Sequence, residues 1–206
     1  MVAVIVIVVL VALGAAIGIW WSKRDRAGAG SSAIAAPVDP LAEGPGGPLD
    51  GLGIGAVVSH QGHDYVVRGQ IRFDEDGYVW TEYHLDTGTD GEAGRAWLSV
   101  DVSDGTDVAF WRPADDAGEL EPSGPVTYAG RTYKKVESGA ARFTASGTTG
   151  VPDAGKAWYV DYQAEGGRRL GFERWSSEGS WEVSVGETVP VHLLEIYPAG
   201  RTSAGA

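Results

Sequence analysis

The second half of this chain repeats the order of the first, and the repeat limits the folds open to it. Val126-Thr127-Tyr128-Ala129-Gly130-Arg131-Thr132-Tyr133 aligns with Val58-Ser59-His60-Gln61-Gly62-His63-Asp64-Tyr65 at an offset of 68. Arg72-Phe73 aligns with Arg142-Phe143, and Glu82-Tyr83 with Asp161-Tyr162. Arg95, Leu98 and Asp104-Gly105 align with Arg169, Phe172 and Glu178-Gly179 at an offset of 74. A drifting offset puts the extra residues in turns, where backbone tolerates insertion. Neither half alone buries enough surface for stability, so two similar units must pack together.

Each unit reads as strands. Val57-Val58 and Tyr65-Val66-Val67 flank His60-Gln61-Gly62-His63, a hairpin turn in which Gly supplies positive φ. Ile71-Arg72-Phe73 runs into the turn Asp74-Glu75-Asp76-Gly77. Tyr78 to Leu85 is a strand by aromatic content, Asp86 to Gly94 a polar loop, and Arg95 to Val102 a returning strand. Val189 to Tyr197 supplies a last strand, and Ala114–Glu121 has room for one helical turn. With 31 Gly, eight Trp and no Cys, the composition favours strands and turns without disulfides or thiolate metal sites. The expected fold is mainly β. Two similar antiparallel β-meanders, about 53–112 and 123–197, pack as a sandwich or barrel within 49–198, and 199–206 is a disordered tail.

Val2 to Trp21 precedes this domain without one charged side chain. Twenty residues of helix span about 30 Å, the thickness of a bilayer's hydrocarbon. Trp20 and Trp21 close the run, and Lys23, Arg24 and Arg26 follow. A cleaved signal peptide would carry its basic residues before a shorter apolar core. The expectation is a single transmembrane helix over 2–21, with the basic flank cytoplasmic and the domain on that side. Residues 22–48, rich in Ala, Gly, Ser and Pro, read as a flexible linker.

The formal net charge of −12 belongs to the remainder, because residues 1–48 sum to zero. So acidic a domain repels phosphate backbones, which excludes nucleic acid as a partner. Basic proteins, cations and polyamines stay open.

Motifs for catalysis are weak. Asp86-Thr87-Gly88 spells an aspartic-protease triplet, but that chemistry needs two sheltered carboxylates and the second half has no counterpart. The same loop fits a calcium pattern only at Asp86, Asp90 and Gly91; Gly88 and Trp97 stand where carboxylates belong. His60 and His63 read as exposed turn imidazoles, and His84 and His192 would join them in a metal site only by convergence in the fold. No phosphate loop follows Gly51-Leu52-Gly53-Ile54-Gly55. No enzyme, cofactor or metal is expected.

The aromatic residues carry more information. Trp80, Trp97, Trp111, Trp158, Trp175 and Trp181 recur in strand-like segments of both halves. Alternation puts Trp80, Glu82 and His84 on one face with Tyr83 on the other, and sets Tyr159 and Asp161 opposite Trp158 and Tyr162. Core packing explains many aromatics. The competing reading is a groove for a cation or peptide, built from Trp80, Glu82, Tyr83, Arg95, Trp97, Asp161, Tyr162 and Arg169.

The pattern Gly55–Val58–Gly62–Tyr65–Val67–Gly69–Ile71–Phe73 resembles the bacterial domain-of-unknown-function family numbered 4178. Trp80-Thr81-Glu82-Tyr83, Arg95-Ala96-Trp97-Leu98 and the stretch from Trp175 to Trp181 carry the same resemblance. It implies a β-rich domain with no catalytic residues to carry over, in a membrane-associated or envelope-stress setting. The expected role is a membrane-tethered binding or scaffold module that recruits a protein partner at the cytoplasmic face. The alternatives are a metal-dependent or other enzyme accessory domain and an extracytoplasmic envelope domain.

Overall fold

A computed structural model describes residues 47–88, 95–103, 105–118 and 120–199. The expected transmembrane helix, most of the linker and the tail beyond residue 199 lie outside the described residues. Among the described residues no helix is long and apolar enough to cross a membrane.

Among the described residues eleven strands follow in order: β1 (Val57–His60), β2 (His63–Glu75), β3 (Tyr78–Asp86), β4 (Arg95–Asp101), β5 (Asp107–Pro113), β6 (Val126–Tyr128), β7 (Arg131–Gly147), β8 (Ala154–Ala164), β9 (Arg168–Arg174), β10 (Glu182–Thr188) and β11 (Glu195–Tyr197). Strands β1 to β5 form one meander and β6 to β10 another. The meanders join edge to edge twice, β5 with β10 and β2 with β7, so β2-β3-β4-β5-β10-β9-β8-β7 closes as an eight-stranded antiparallel barrel. Of the two architectures the sequence leaves open, the barrel is the one formed. At the β2/β7 seam Phe73 stands directly opposite Phe143, its counterpart in the repeat.

The turn chemistry follows the sequence. Gln61 and Gly62 both have positive φ, as do Ala129 and Gly130. Two such residues make the tight turn whose twist matches a hairpin, and these turns lock β1 to β2 and β6 to β7. Gly77 donates its N–H to Asp74 Oδ1 at 2.9 Å and closes the β2–β3 turn.

Strand alternation sorts side chains to two faces. Outward, Val67, Leu85, Ala96, Leu98, Val108 and Phe110 form one apolar cluster, covered by Ala56, Val58 and Tyr65 and by Val189 and Leu194 from the C-terminal segment. Val160, Tyr162, Leu170 and Phe172 form a second, covered by Val126 and Tyr133 and flanked by Leu120 and Tyr128. Each fully buried Leu, Val or Phe contributes about 1.5–3 kcal/mol. These outer clusters account for most of the apolar burial. Inward, only Ile71, Phe73, Ala141, Phe143 and Ala157 pack at the β2/β7 seam, and the rest of the lumen is polar and aromatic.

Three expectations need correction. Val189 to Tyr197 is not one strand. Pro190 starts a 3-10 turn over Val191–Leu193, and only Glu195–Tyr197 pairs, with β1. Trp175 and Trp181 lie in the β9–β10 connection rather than on strands. His60 is not an exposed turn residue. It is 6% exposed, and its ring lies 4.8 Å from that of Phe110, because β1 is folded onto the first outer cluster.

A carboxylate-lined cavity as the candidate functional site

The lumen opens into a cavity of about 810 Å³. Two features of the strands make the room. Glycines stand where the largest inward groups cross: the indole of Trp111 lies over Gly186 and Gly171, and the Glu75 carboxylate and Tyr159 hydroxyl lie over Gly139. The inward positions also carry polar residues at alternating spacing. Strand β3 gives Trp80, Glu82 and His84, and β4 gives Arg95, Trp97, Ser99 and Asp101. Strand β8 gives Tyr159, Asp161 and Gln163, and β9 gives Arg169, Gly171 and Glu173.

Glu82, Asp161 and Glu173 converge from three strands. Glu82 on β3 and Glu173 on β9 face each other across the barrel and share a hydrogen bond. The Trp80 ring of β3 and the Tyr159 ring of β8 also meet, with centroids 5.5 Å apart. Burial pushes the Glu82 carboxyl up, and the neighbouring Asp161 charge adds to the rise. Glu173 is raised by burial and then by Glu82 and Asp161. Asp161 is pushed up to about 7, first by burial and then by Glu137, against a smaller opposing pull from Arg169. Their residues line the cavity and are only half-buried, so these carboxylates face open space rather than being sealed in apolar packing.

A second layer holds the first. Tyr159 donates its hydroxyl to Glu75 Oε2 at 2.6 Å, and Glu75 Oε1 accepts from the Ala140 N–H at 3.2 Å. Glu137 also takes a longer bond from Tyr159, and burial with the Glu75 charge raises it. Trp111 donates Nε1–H to Ser99 Oγ at 2.8 Å, fixing the indole. His84 donates Nδ1–H to the Thr148 carbonyl at 2.7 Å and lies against Trp97. Arg169 reaches inward, but both Asp107 oxygens, at 2.7 and 2.9 Å, and Thr188 Oγ1 occupy its guanidinium.

Of the residues singled out from sequence, Trp80, Glu82, Arg95, Trp97, Asp161 and Arg169 all line this cavity. Tyr162 borders it too, yet the ring packs outward against Phe172 and is fully buried. Tyr83 does not reach it. Alternation turns Tyr83 away from its neighbour Glu82, and its ring packs against the first outer cluster. Sequence reasoning missed Glu173, Glu137 and Glu75. The signal for Glu173 was present, since it stands two and four residues after Gly171 and Arg169 on one strand face.

The competing motifs dissolve. Asp86 ends β3, accepts the Gly88 N–H at 2.7 Å and pairs with Arg68 at 3.1 Å. The Gly88 bond, foremost, holds its carboxyl below the usual range, so it is a half-buried, ionised strand-end residue unlike a proton-sharing protease carboxylate. Asp90 and Gly91 lie outside the described residues. His63 and His192 are exposed, His60 sits under the hairpin, and His84 faces the lumen, so the four imidazoles do not converge. Among the described residues no group of His, Asp and Glu is arranged to hold a metal ion.

The sequence comparisons cover the same barrel. The family model DUF4178, described as a domain of unknown function, matches residues 53–191. An uncharacterized protein of Mycobacterium bovis is 41% identical over 159 residues, covering 74% of this chain and 75% of that protein. Uncharacterized proteins of two Mycobacterium tuberculosis strains match equally. No solved structure matches.

Proposed function

The chain belongs to the DUF4178 family, and we propose that it acts as a membrane-tethered binding module whose barrel takes an organic cation into its lumen. One observation carries this reading. Eight carboxylates line the cavity against two arginines, and among the described residues no arginine, lysine or histidine forms an ion pair with Glu82, Asp161 or Glu173. A carboxylate withdrawn from bulk water needs a proton or a cation. Trp80, Trp97 and Trp111 line the same cavity, and an ammonium or guanidinium over an indole face gains about 0.5–2 kcal/mol. A volume of about 810 Å³ is of the size that holds small molecules.

The module is read as a binder rather than an enzyme. In this reading the carboxylates serve as counter-charges. The tether rests on the uncharged run Val2–Trp21 and on the basic residues after it, which favour a domain at the cytoplasmic face. There it would present the loaded or empty barrel to a protein partner.

Tryptophan fluorescence of the full chain in detergent tests the reading. Titration with an alkylammonium salt is expected to change emission saturably, while an alcohol and a carboxylate of the same length leave it unchanged. A Glu82→Gln/Asp161→Asn double variant that stays folded and binds the ammonium as well as wild type would refute the site.

A further inference from the structure

We propose that the barrel docks by one wall on an anionic lipid surface. The wall is separate from the lumen, and the proposal rests on the tether reading only for what brings that surface near. Strands β2, β7, β8 and β9 lie side by side. Phe73, Ala141, Phe143 and Ala157 on these strands pack inward, so alternation turns Arg72, Arg142, Lys156 and Trp158 outward. Arg174 stands opposite Trp158 and shares its face. None of these five residues belongs to either outer apolar cluster, and Arg72, Arg142 and Lys156 are exposed. The flaps therefore leave a basic stretch of the wall bare.

Three observations point to anions as its partner. Arg142 stands directly opposite Lys156, and like charges so placed repel unless an anion joins them. Among the described residues Arg72, Arg142 and Lys156 form no ion pair, and Asp74, the outward carboxylate opposite Arg142, accepts the Gly77 N–H instead. Arg72, Arg142, Thr144 and Phe143 also line a shallow groove of about 360 Å³. The aromatic on the wall narrows the choice. The Lys156 ammonium lies 5.3 Å and the Arg174 guanidinium 5.5 Å from the centre of a Trp158 ring. Half-buried indole among basic side chains is the make-up of a surface that settles at a membrane interface. Four strands about 4.8 Å apart spread the charges over roughly 15 Å, which suits a field of headgroups better than one small anion. The net charge of −12 would oppose such docking if it were evenly spread. Part of it is held in the lumen, and screening over about 8 Å lets the facing wall, rather than the total, meet the headgroups.

The chain has no cysteine, so single labels can test the docking. Thr144→Cys on this wall and Leu193→Cys on the exposed C-terminal cap each carry an environment-sensitive dye in the full chain. Each is reconstituted with phosphatidylcholine vesicles, with and without phosphatidylserine. The dye at position 144 is expected to shift to the blue only with phosphatidylserine, and the dye at 193 with neither. The shift should vanish in about 1 M salt, where screening acts over about 3 Å. Arg72→Gln/Arg142→Gln/Lys156→Gln should weaken docking about a hundredfold, at roughly fivefold for each charge removed. No shift, an equal shift at both positions, or a shift that needs no phosphatidylserine overturns the inference. So does one that persists in high salt or in the triple variant, and should that variant fail to fold, the salt series decides. A shift produced equally by soluble polyglutamate would assign the wall to an acidic protein and overturn the lipid. Flotation with the phosphatidylcholine vesicles reads the tether separately. A chain that does not float with them loses the tether, yet its dye at 144 must still answer to phosphatidylserine.

Discussion

At the scale of single residues, the lumen is shaped by what is missing from glycine. A methyl group placed on Gly186 meets the Trp111 ring at 2.5 Å, whereas one on Gly171 meets it at 3.3 Å. Gly186→Ala therefore has to move the indole off its bond to Ser99, and overpacking of that kind costs about 1–3 kcal/mol. Gly171→Ala needs a shift of only a few tenths of an ångström and should cost clearly less. Urea denaturation of both variants checks the order, and equal costs would mean that Trp111 is free to move. The Asp161 carboxyl yields a pH prediction with a definite sign. Its value of about 7 in the fold lies above its ordinary 3.8, so between those limits the folded chain binds more protons than the unfolded one. Stability from this group is complete below pH 4 and is lost as pH rises through 7. Without ligand, the melting temperature is expected to fall from pH 5 to pH 8, and Asp161→Asn should flatten that slope. A bound ammonium reverses the trend, since it favours the ionised carboxylate.

Among the strands, the C-terminal segment is the piece that ties the halves. Val189 and Leu194 leave β10, the last strand of the second meander, and cap the outer cluster of the first, while β11 pairs with β1. Leu194 is 6% exposed, so Leu194→Ala is expected to cost about 2–5 kcal/mol, read from chemical denaturation. A loss under about 0.5 kcal/mol would show that the cap is ornamental to the first half. The same segment marks where sequence reading stops. The hairpins are legible because Gln61-Gly62 and Ala129-Gly130 sit at local turn positions, and Tyr78–Asp86 is legible because its aromatic alternation is local too. The pairings β2/β7 and β5/β10 are long-range, and a repeat is equally compatible with two stacked sheets, so closure into a barrel is not written in any one segment. The run Val189–Tyr197 has the composition of a strand, but Pro190 cannot donate to a ladder and the chain turns there. Inward and outward faces follow from alternation. Which of them encloses the apolar core does not, because each outer cluster is completed by flaps from elsewhere in the chain. That is why Glu82 and Asp161 are found from sequence while Tyr83 is placed with them, and why Glu173 goes unnoticed beside Gly171.

Over the whole molecule, charge is divided between compartments of the fold. The barrel concentrates carboxylates in its lumen, and its outer β2–β7–β8 ladder exposes Arg72, Arg142 and Lys156. Such a division is compatible with the proposed uptake of cations, with cationic side chains facing outward over part of the wall. The proposed tether gives that arrangement an address. The apolar run and the barrel should then behave as separable parts. Deleting residues 2–21 is accordingly expected to leave the barrel's cooperative melt unchanged within about 2 °C, the effect of a few tenths of a kcal/mol. The deletion should also move the protein from an alkali-resistant membrane pellet to the supernatant. Full-length chain recovered in the supernatant would remove the tether, whereas a melting temperature that drops on deletion would mean the segment packs into the domain. In either case the proposed cation site is unaffected, because it depends on side chains of the barrel strands alone.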